Sequence, residues 1–408
     1  MSPRPRRLRW WWLAGLACIG VVDAQSVAWH GYLDLRVASG PDERAWSDGG
    51  LGKTRFGRGD ANDVEGVLSG AFQLAPEWLA VSELQYRPGR EHPLDLLDAW
   101  IRYRPVSTTP WRWSVKAGAF FPPVSLENDA VGWTSPWTLT PSAASSWIGE
   151  EVRTLGAELR VEHRAPAGTA GVVAALYRGN DPAGELLASR GWALGDLTTP
   201  LHGDLRQPDV YAPLARAEVP VEYRPFVEID DRIGWYAGMD YATAGGNTFN
   251  VLRYDNRADP TRYRPYDERK VFAWRTRFWS MGAQARVGDV VLIAQAMDGS
   301  TAFEPRAGLL LDTRFHAGSL LAAWDRGRWR PALRLDLFSL RQLPDTLADP
   351  LDEHGNAMTL ALNWRPREFV RVTGEVLRVD SSRDQRRLEA SSPRQVEVQA
   401  QLSLRLEF

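Results

Sequence analysis

The stretch RQVEVQAQLSLRLEF, Arg394–Phe408, alternates apolar and polar residues without a break from Val396 onward. Side chains of a β-strand point alternately to opposite faces. Val396, Val398, Ala400, Leu402, Leu404, Leu406 and Phe408 therefore line one face, and Gln395, Glu397, Gln399, Gln401, Ser403, Arg405 and Glu407 line the other. One face suits an apolar surround and the other suits water. A sandwich edge and a membrane strand both satisfy this pattern, and the rest of the chain decides between them.

The 408 residues suffice for two or three ordinary domains or for one large β-barrel. Met1–Arg9 carries four arginines and no acid, Trp10–Val22 is an apolar run of 13, and Val22-Asp23-Ala24 has the small-residue spacing of a signal-peptidase site. This predicts a secretory signal peptide over residues 1–24, too short to span a bilayer as a helix, followed by one exported domain over residues 25–408. Cys18 is the only cysteine and falls inside the predicted signal, so the exported chain has no disulfide. Removing Arg4, Arg6, Arg7, Arg9 and Asp23 takes the formal charge from −2 to −5, and no basic excess argues for nucleic acid. Lys53, Lys116 and Lys270 are the only lysines, so the cations are almost all arginine. Mean hydropathy is that of a soluble protein, yet there are 19 tryptophans and 11% aromatics. A membrane barrel reconciles these facts, because only alternate residues of each strand meet lipid and aromatic girdles mark both interfaces.

Period-2 stretches recur along the chain with turn residues between them. Val27–Val37 is followed by a long polar segment, then by Val64–Leu74 and Trp78–Tyr86 around a tight turn, then by Leu94–Arg104 and Trp111–Phe120. Further on come Glu218–Ile229 and Ile233–Ala242 around Asp230-Asp231, and Val271–Val287. The full reading gives 16 strands, seven short turns and eight longer loops. Thr248–Asp255 as an extra strand, or Gly308–Trp324 as two, leaves 18 open. Short turns at one end and long loops at the other are the signature of an all-β transmembrane antiparallel barrel of the bacterial outer membrane, with periplasmic turns and extracellular loops. Its last strand is expected to close against Val27–Val37.

If the apolar faces meet lipid, the opposite faces line the lumen. Arg36, Arg102, Arg104, Arg112, Lys116, Arg160, Arg275, Arg277, Arg314, Arg334 and Arg371 are then expected to project inward. A barrel of this width holds an aqueous channel in which charged rings set ion preference, and the arginine fork passes anions along by hydrogen bonds. The loop FFPPVSLENDAVGWTSPWTLTPSAASSWIGEE starts just after Arg102, Arg104, Arg112 and Lys116. Its prolines stiffen it, and Trp133, Trp137 and Trp147 predict a compact segment that folds inward as a constriction. Glu127, Asp129, Glu150 and Glu151 would then set negative charge opposite the wall arginines.

LDAWIRY, AGAFFPPVSLEND and TLTPSAASSWIGEEVRTLGAEL resemble the phosphate-selective porin (porin O/P) family, with fainter likeness at YDNRADP, AWRTRFW and LIAQAMDGSTAF over most of the exported chain. The resemblance implies a 16-stranded porin, a homotrimer in the outer membrane that contacts lipid and passes small solutes. It implies no cofactor and no metal. The terminal Phe408 resembles the assembly signal of outer-membrane proteins. Where those porins concentrate lysines beside an arginine ladder, this chain offers Lys116 and the wall arginines.

Catalysis finds little support. The six histidines are scattered, there is no HExxH and no G-x-S-x-G, and a lipase Ser/His pair would have only His163 on the lipid face. Ser47–Thr54, SDGGLGKT, nearly matches a phosphate loop but lacks its first glycine and its strand-to-helix setting. Two functions remain: passive diffusion of small anionic or zwitterionic solutes, phosphate-like ones included, or a non-conducting adhesion barrel acting through its outer loops.

Overall fold

A computed structural model describes residues 26–210, 219–266, 268–344 and 351–408. The predicted signal peptide, residues 1–24, lies outside the described residues. Sixteen strands form one closed antiparallel barrel in which every strand pairs with its neighbours in sequence. They are β1 Ser26–Gly40, β2 Gly59–Ala75, β3 Trp78–Tyr86, β4 Leu94–Tyr103, β5 Trp111–Phe120, β6 Thr154–Ala165, β7 Gly168–Arg178 and β8 Gly234–Thr243. The second half comprises β9 Thr248–Asp255, β10 Arg275–Val287, β11 Val290–Arg306, β12 Leu309–Trp324, β13 Trp329–Leu343, β14 Glu353–Arg367, β15 Val370–Arg383 and β16 Arg394–Glu407.

The opening stretch, β16, seals the barrel. It pairs with β15 on one side and with β1 on the other, with Asp34 opposite Arg405 and Leu35 opposite Leu404. Its apolar set is exposed (Val396, Val398, Leu402, Leu404, Leu406), while Glu397, Gln399, Ser403 and Arg405 are buried inside. On an isolated barrel, exposed side chains of this kind form the lipid-facing belt. Aromatic pairs stand at the turn end of the strands: Trp78 with Tyr103, Tyr103 with Trp113, Trp111 with His163, and Trp329 stacked on Trp364. Placing Trp and Tyr there puts amphipathic rings at the membrane–water boundary.

The strand count of 16 stands, but two of the predicted strands differ. Residues 219–229 run in a loop and contribute only Glu222–Tyr223 to a small hairpin with Leu205–Arg206. Pro220 and Pro225 have no N–H to give to a ladder with partners on both sides, which disfavours this segment as a wall strand. Thr248–Asp255 takes its place in the wall as β9, between β8 and β10. The Gly308–Trp324 stretch forms one strand, and β11 runs on to Arg306, so only a turn at Ala307-Gly308 separates them, with Gly308 at φ +82°.

Two long loops fill the loop-end half of the interior. Residues 121–153 carry helix α1, Ala143–Glu151, whose N-terminal Ser142 accepts the Ser145 N–H. The second loop, described over residues 179–210 and 219–233, carries a short helix α2, Glu185–Arg190. Trp147 of α1 packs edge-on against Phe278 of β10, Phe315 of β12 and Trp192 of the second loop, and Tyr254 stacks on Phe278. The inward faces of β9–β15 are apolar at this level because they meet protein there and not water.

Candidate functional site

The interior is divided lengthwise. Inward residues of β13–β16 are sealed, with Arg334, Thr359, Glu375 and Ser403 at most 2% exposed. Polar inward residues toward the turn end of β4–β6 and β8 stay partly open to solvent: Arg102, Arg112, Lys116, Arg160, Glu162 and Asp240 all retain accessible surface, whereas Leu97 of β4, Val173, Ala175 and Tyr177 of β7 and Tyr236 of β8 are buried. The difference arises from where the first loop is tied.

That loop is fastened to the sealed side. Arg334 of β13 is fully buried, and each of its guanidinium nitrogens is bonded: Nε to Asp336 at 2.8 Å, Nη1 to Glu127 at 2.8 Å and Thr138 at 3.0 Å, Nη2 to the Pro141 carbonyl at 2.9 Å and Thr359 at 3.0 Å. Nη1 also donates to the Thr140 carbonyl. The Glu375 carboxylate of β15 accepts the Leu139 N–H at 2.6 Å and the Thr140 N–H at 3.1 Å, and Asp336 accepts the Ala143 N–H at 3.3 Å. A buried guanidinium is tolerated only when its donors are satisfied in this way. Arg334 is therefore a strut and not an open lining residue.

The other predicted loop acids are also internal. Glu150 pairs with Arg190 of α2 at 2.6 Å. Glu151 accepts the Leu186 and Leu187 N–H groups, the Tyr223 hydroxyl and the Trp147 indole N–H. Trp133 is buried and stacks on Phe121 at 4.2 Å, and Trp137 packs partly buried against the Val291 and Ile293 side of the wall. Of Glu127, Asp129, Glu150 and Glu151, only Asp129 is exposed. The expected row of loop carboxylates opposite the wall arginines is thus corrected: three of the four are consumed in holding loop to wall and loop to loop.

The second loop is held by charge as well. Asp196 lies between Arg36 of β1 and Arg55, the latter at 2.7 Å. Burial alone would raise this carboxyl, but Arg36, Arg55 and Arg87 hold it well below the usual carboxylate range. The near-match to a phosphate loop resolves here too. The Lys53 and Thr54 N–H groups donate to the Glu397 carboxylate at 2.7 and 3.1 Å, and the fully buried Lys53 ammonium pairs with Glu353 at 2.8 Å. The backbone cradles an anion, and that anion is the protein's own.

On the open side the ladder sets Arg102 of β4 opposite Lys116 of β5, and Lys116 opposite Glu158 of β6. Lys116 pairs with Glu158 at 3.0 Å and lies over the Phe120 ring at 4.0 Å. Arg160 forks onto both oxygens of Asp240 at 2.9 Å and reaches Glu162 at 2.8 Å. Among the described residues Arg102, Arg104 and Arg112 form no ion pair. Arg112 stands opposite Glu162 in the ladder, and Arg102 and Arg104 lie within the field of the same carboxylate, so the three arginines share Glu162 without a contact ion pair to it.

Arg275, Arg277 and Arg314 are not in the lumen. On β10, Thr276 and Phe278 are fully buried while Arg275 and Arg277 are exposed, and on β12 Thr313 and Phe315 are buried while Arg314 is exposed. Near the loops the usual alternation inverts: protein fills the inside, and the outside stands above the apolar belt. Arg36 and Arg371 do point inward and are nearly sealed, Arg371 beside Glu407 at 3.2 Å.

This architecture is that of a sixteen-strand outer-membrane β-barrel. No family model matches the sequence, and no curated protein matches it. Solved structures do. The chain is similar to the outer membrane channel DcaP of Acinetobacter baumannii (TM-score 0.57, 9% identity, 94% of this chain and 97% of that one). It is also similar to OmpT, an outer membrane protein of Vibrio cholerae solved in a trimer form (0.54, 9%, 95% and 100%), and to OprB of Pseudomonas putida (0.52, 10%, 94% and 94%). At these identities the likeness establishes the barrel fold, end to end.

Proposed function

We propose that the protein is a passive diffusion channel of the bacterial outer membrane that favours small anionic or zwitterionic solutes, with residues 121–153 as its constriction. The observation that carries this reading is the partly solvent-accessible inward face of β4–β6, where Arg102 and Arg112 on the wall and Arg104 just past β4 form no contact ion pair. Cations held on a wet wall raise the local anion concentration and lower the cost of anion passage. The burial of Glu127, Glu150 and Glu151 supports it further, since the loop then adds little opposing charge. Phosphate-like solutes fit the arginine fork, which is the chemistry the porin O/P resemblance implies. A homotrimer follows the same resemblance.

Planar-bilayer recording on the purified protein tests the reading. Stepwise conductance with a reversal potential toward the anion side supports it, and the absence of conductance would favour the adhesion barrel instead. Reversal on the cation side would reject the anionic preference.

A further inference from the structure

The misplaced arginines raise a separate question: what faces them outside the barrel. Along one row of the ladder, Asp255, Arg277, Ser300 and Arg314 stand directly opposite one another on β9, β10, β11 and β12. In the row below come Arg253, Trp279, Asp298 and His316. Arg253, Arg277 and Arg314 converge on an outward recess of about 370 Å³ that Asp298 and Asp312 also line. Asp298 is taken by His316 Nδ1 at 2.6 Å, Arg277 Nε donates to Ser300 at 3.2 Å, and the Arg253 guanidinium lies 5.4 Å from the Trp279 ring. Among the described residues Arg253 and Arg314 form no ion pair.

The height of the recess matters more than its charge. Trp324, at the turn end of β12, lies ten residues from Arg314 on the same strand. That separation is about 33 Å along a strand. With the usual barrel tilt it becomes about 25 Å along the membrane normal, the height of the apolar band itself. Below the row of Arg253, Asp298 and His316 the outward surface is apolar: Met281, Leu320, Leu335, Leu337 and Met358 are all exposed. Arg277 and Arg314 therefore stand where the outer-leaflet hydrocarbon ends, at the level of lipid headgroups, with Arg253 one row beneath them.

We propose that Arg253, Arg277 and Arg314 form a binding site for the phosphorylated glycolipid headgroup of the outer leaflet. Guanidinium forks fit phosphate oxygens in bidentate fashion, and at a headgroup interface they meet them partly desolvated. Trp279 beneath Arg253 offers its face to the sugar and acyl boundary. The proposal rests on the barrel lying in the outer membrane and is independent of what the lumen conducts.

The test uses the full-length, delipidated protein in detergent, titrated with bis-phosphorylated lipid A and with the same lipid after phosphate removal. The wild type should bind the phosphorylated form at least tenfold more tightly. The combined Arg253→Gln, Arg277→Gln and Arg314→Gln variant should lose that preference while keeping wild-type single-channel conductance. Equal affinity of the wild type for both lipids, or an undiminished preference in the variant, overturns the proposal. A variant that falls apart to monomers in lipid-free detergent overturns it too, because the face would then belong to a second copy of the chain.

Discussion

Arg334 on β13 and Glu127 in the first loop are both buried and meet at 2.8 Å across the inside of the barrel. Asp336 completes the group at 2.8 Å from Arg334 Nε. This contact fixes which side of the barrel interior the loop occupies, away from the partly open turn-end residues Arg102, Arg112, Lys116 and Arg160.

Replacing Arg334 with Met keeps much of the side-chain volume and strands two buried carboxylates. Breaking a buried pair on one side costs about 3–5 kcal/mol. The sixteen-strand wall does not depend on this residue, so the cost falls on the loop. The variant should show larger, noisier conductance steps and protease cleavage within residues 121–153, with the barrel's heat resistance retained. Conductance and cleavage identical to the wild type would show that the loop is held by other contacts.

The seam between the first and last strands depends on Asp34. Arg405 donates to it through Nε at 2.8 Å and Nη2 at 2.7 Å, and the Ser403 hydroxyl donates at 2.8 Å. Asp34→Asn leaves Arg405 buried without its anion, again at about 3–5 kcal/mol. The temperature at which the protein loses its fast, folded gel migration should drop measurably.

Gly184, ahead of α2, has φ +96°, and a Cβ there would lie 2.2 Å from the Thr301 hydroxyl on the wall. Gly184→Ala combines left-handed strain of about 1–2 kcal/mol with a clash that must move the loop. Gly89→Ala has φ +87° but open space around it. Amide exchange across residues 179–233 should accelerate in the first variant and stay near wild type in the second.

Asp181, in the second loop, accepts the Ile229 N–H and, at 3.3 Å, the Asp230 N–H. Burial, reinforced by the charges of Glu228 and Asp230, pushes its carboxyl up to about 7. A raised acid pKa means the folded loop binds a proton that the unfolded chain, near 3.9, does not. The loop's stability therefore falls as pH rises from about 4 to 7 and levels off above. Amide protection at Ile229 and Asp230, corrected for intrinsic exchange, should decline over that window in the wild type and stay flat in Asp181→Asn.

Much of the fold was legible because lipid outside and water inside impose one strict period, as in β16. Legibility ended where the surroundings change. On β10, RTRFWSM has Phe278 inward against Trp147 and Arg277 outward above the belt, so reading apolar as outward reversed Arg275 and Arg277. The same rule left β9 as only an optional extra strand, since its Tyr254 and Leu252 are buried inside the barrel. On β4 and β5 the two-residue period holds to the turn end, so Arg102 and Arg112 keep the face opposite Ile101 and Trp113 that the alternation predicts. No spacing rule in the sequence pairs Glu127 with Arg334, 207 residues away.

The reversal potential in a salt gradient, compared between the wild type and the Arg102→Gln, Arg104→Gln, Arg112→Gln variant, tests the central claim most directly. One unit charge about 7 Å from a permeating ion in water is worth about 0.6 kcal/mol, or close to threefold in permeability. The wild type should pass anions in preference to cations, and the variant should lose that preference by about threefold or more. An unchanged reversal potential would mean that these arginines do not line the path ions take.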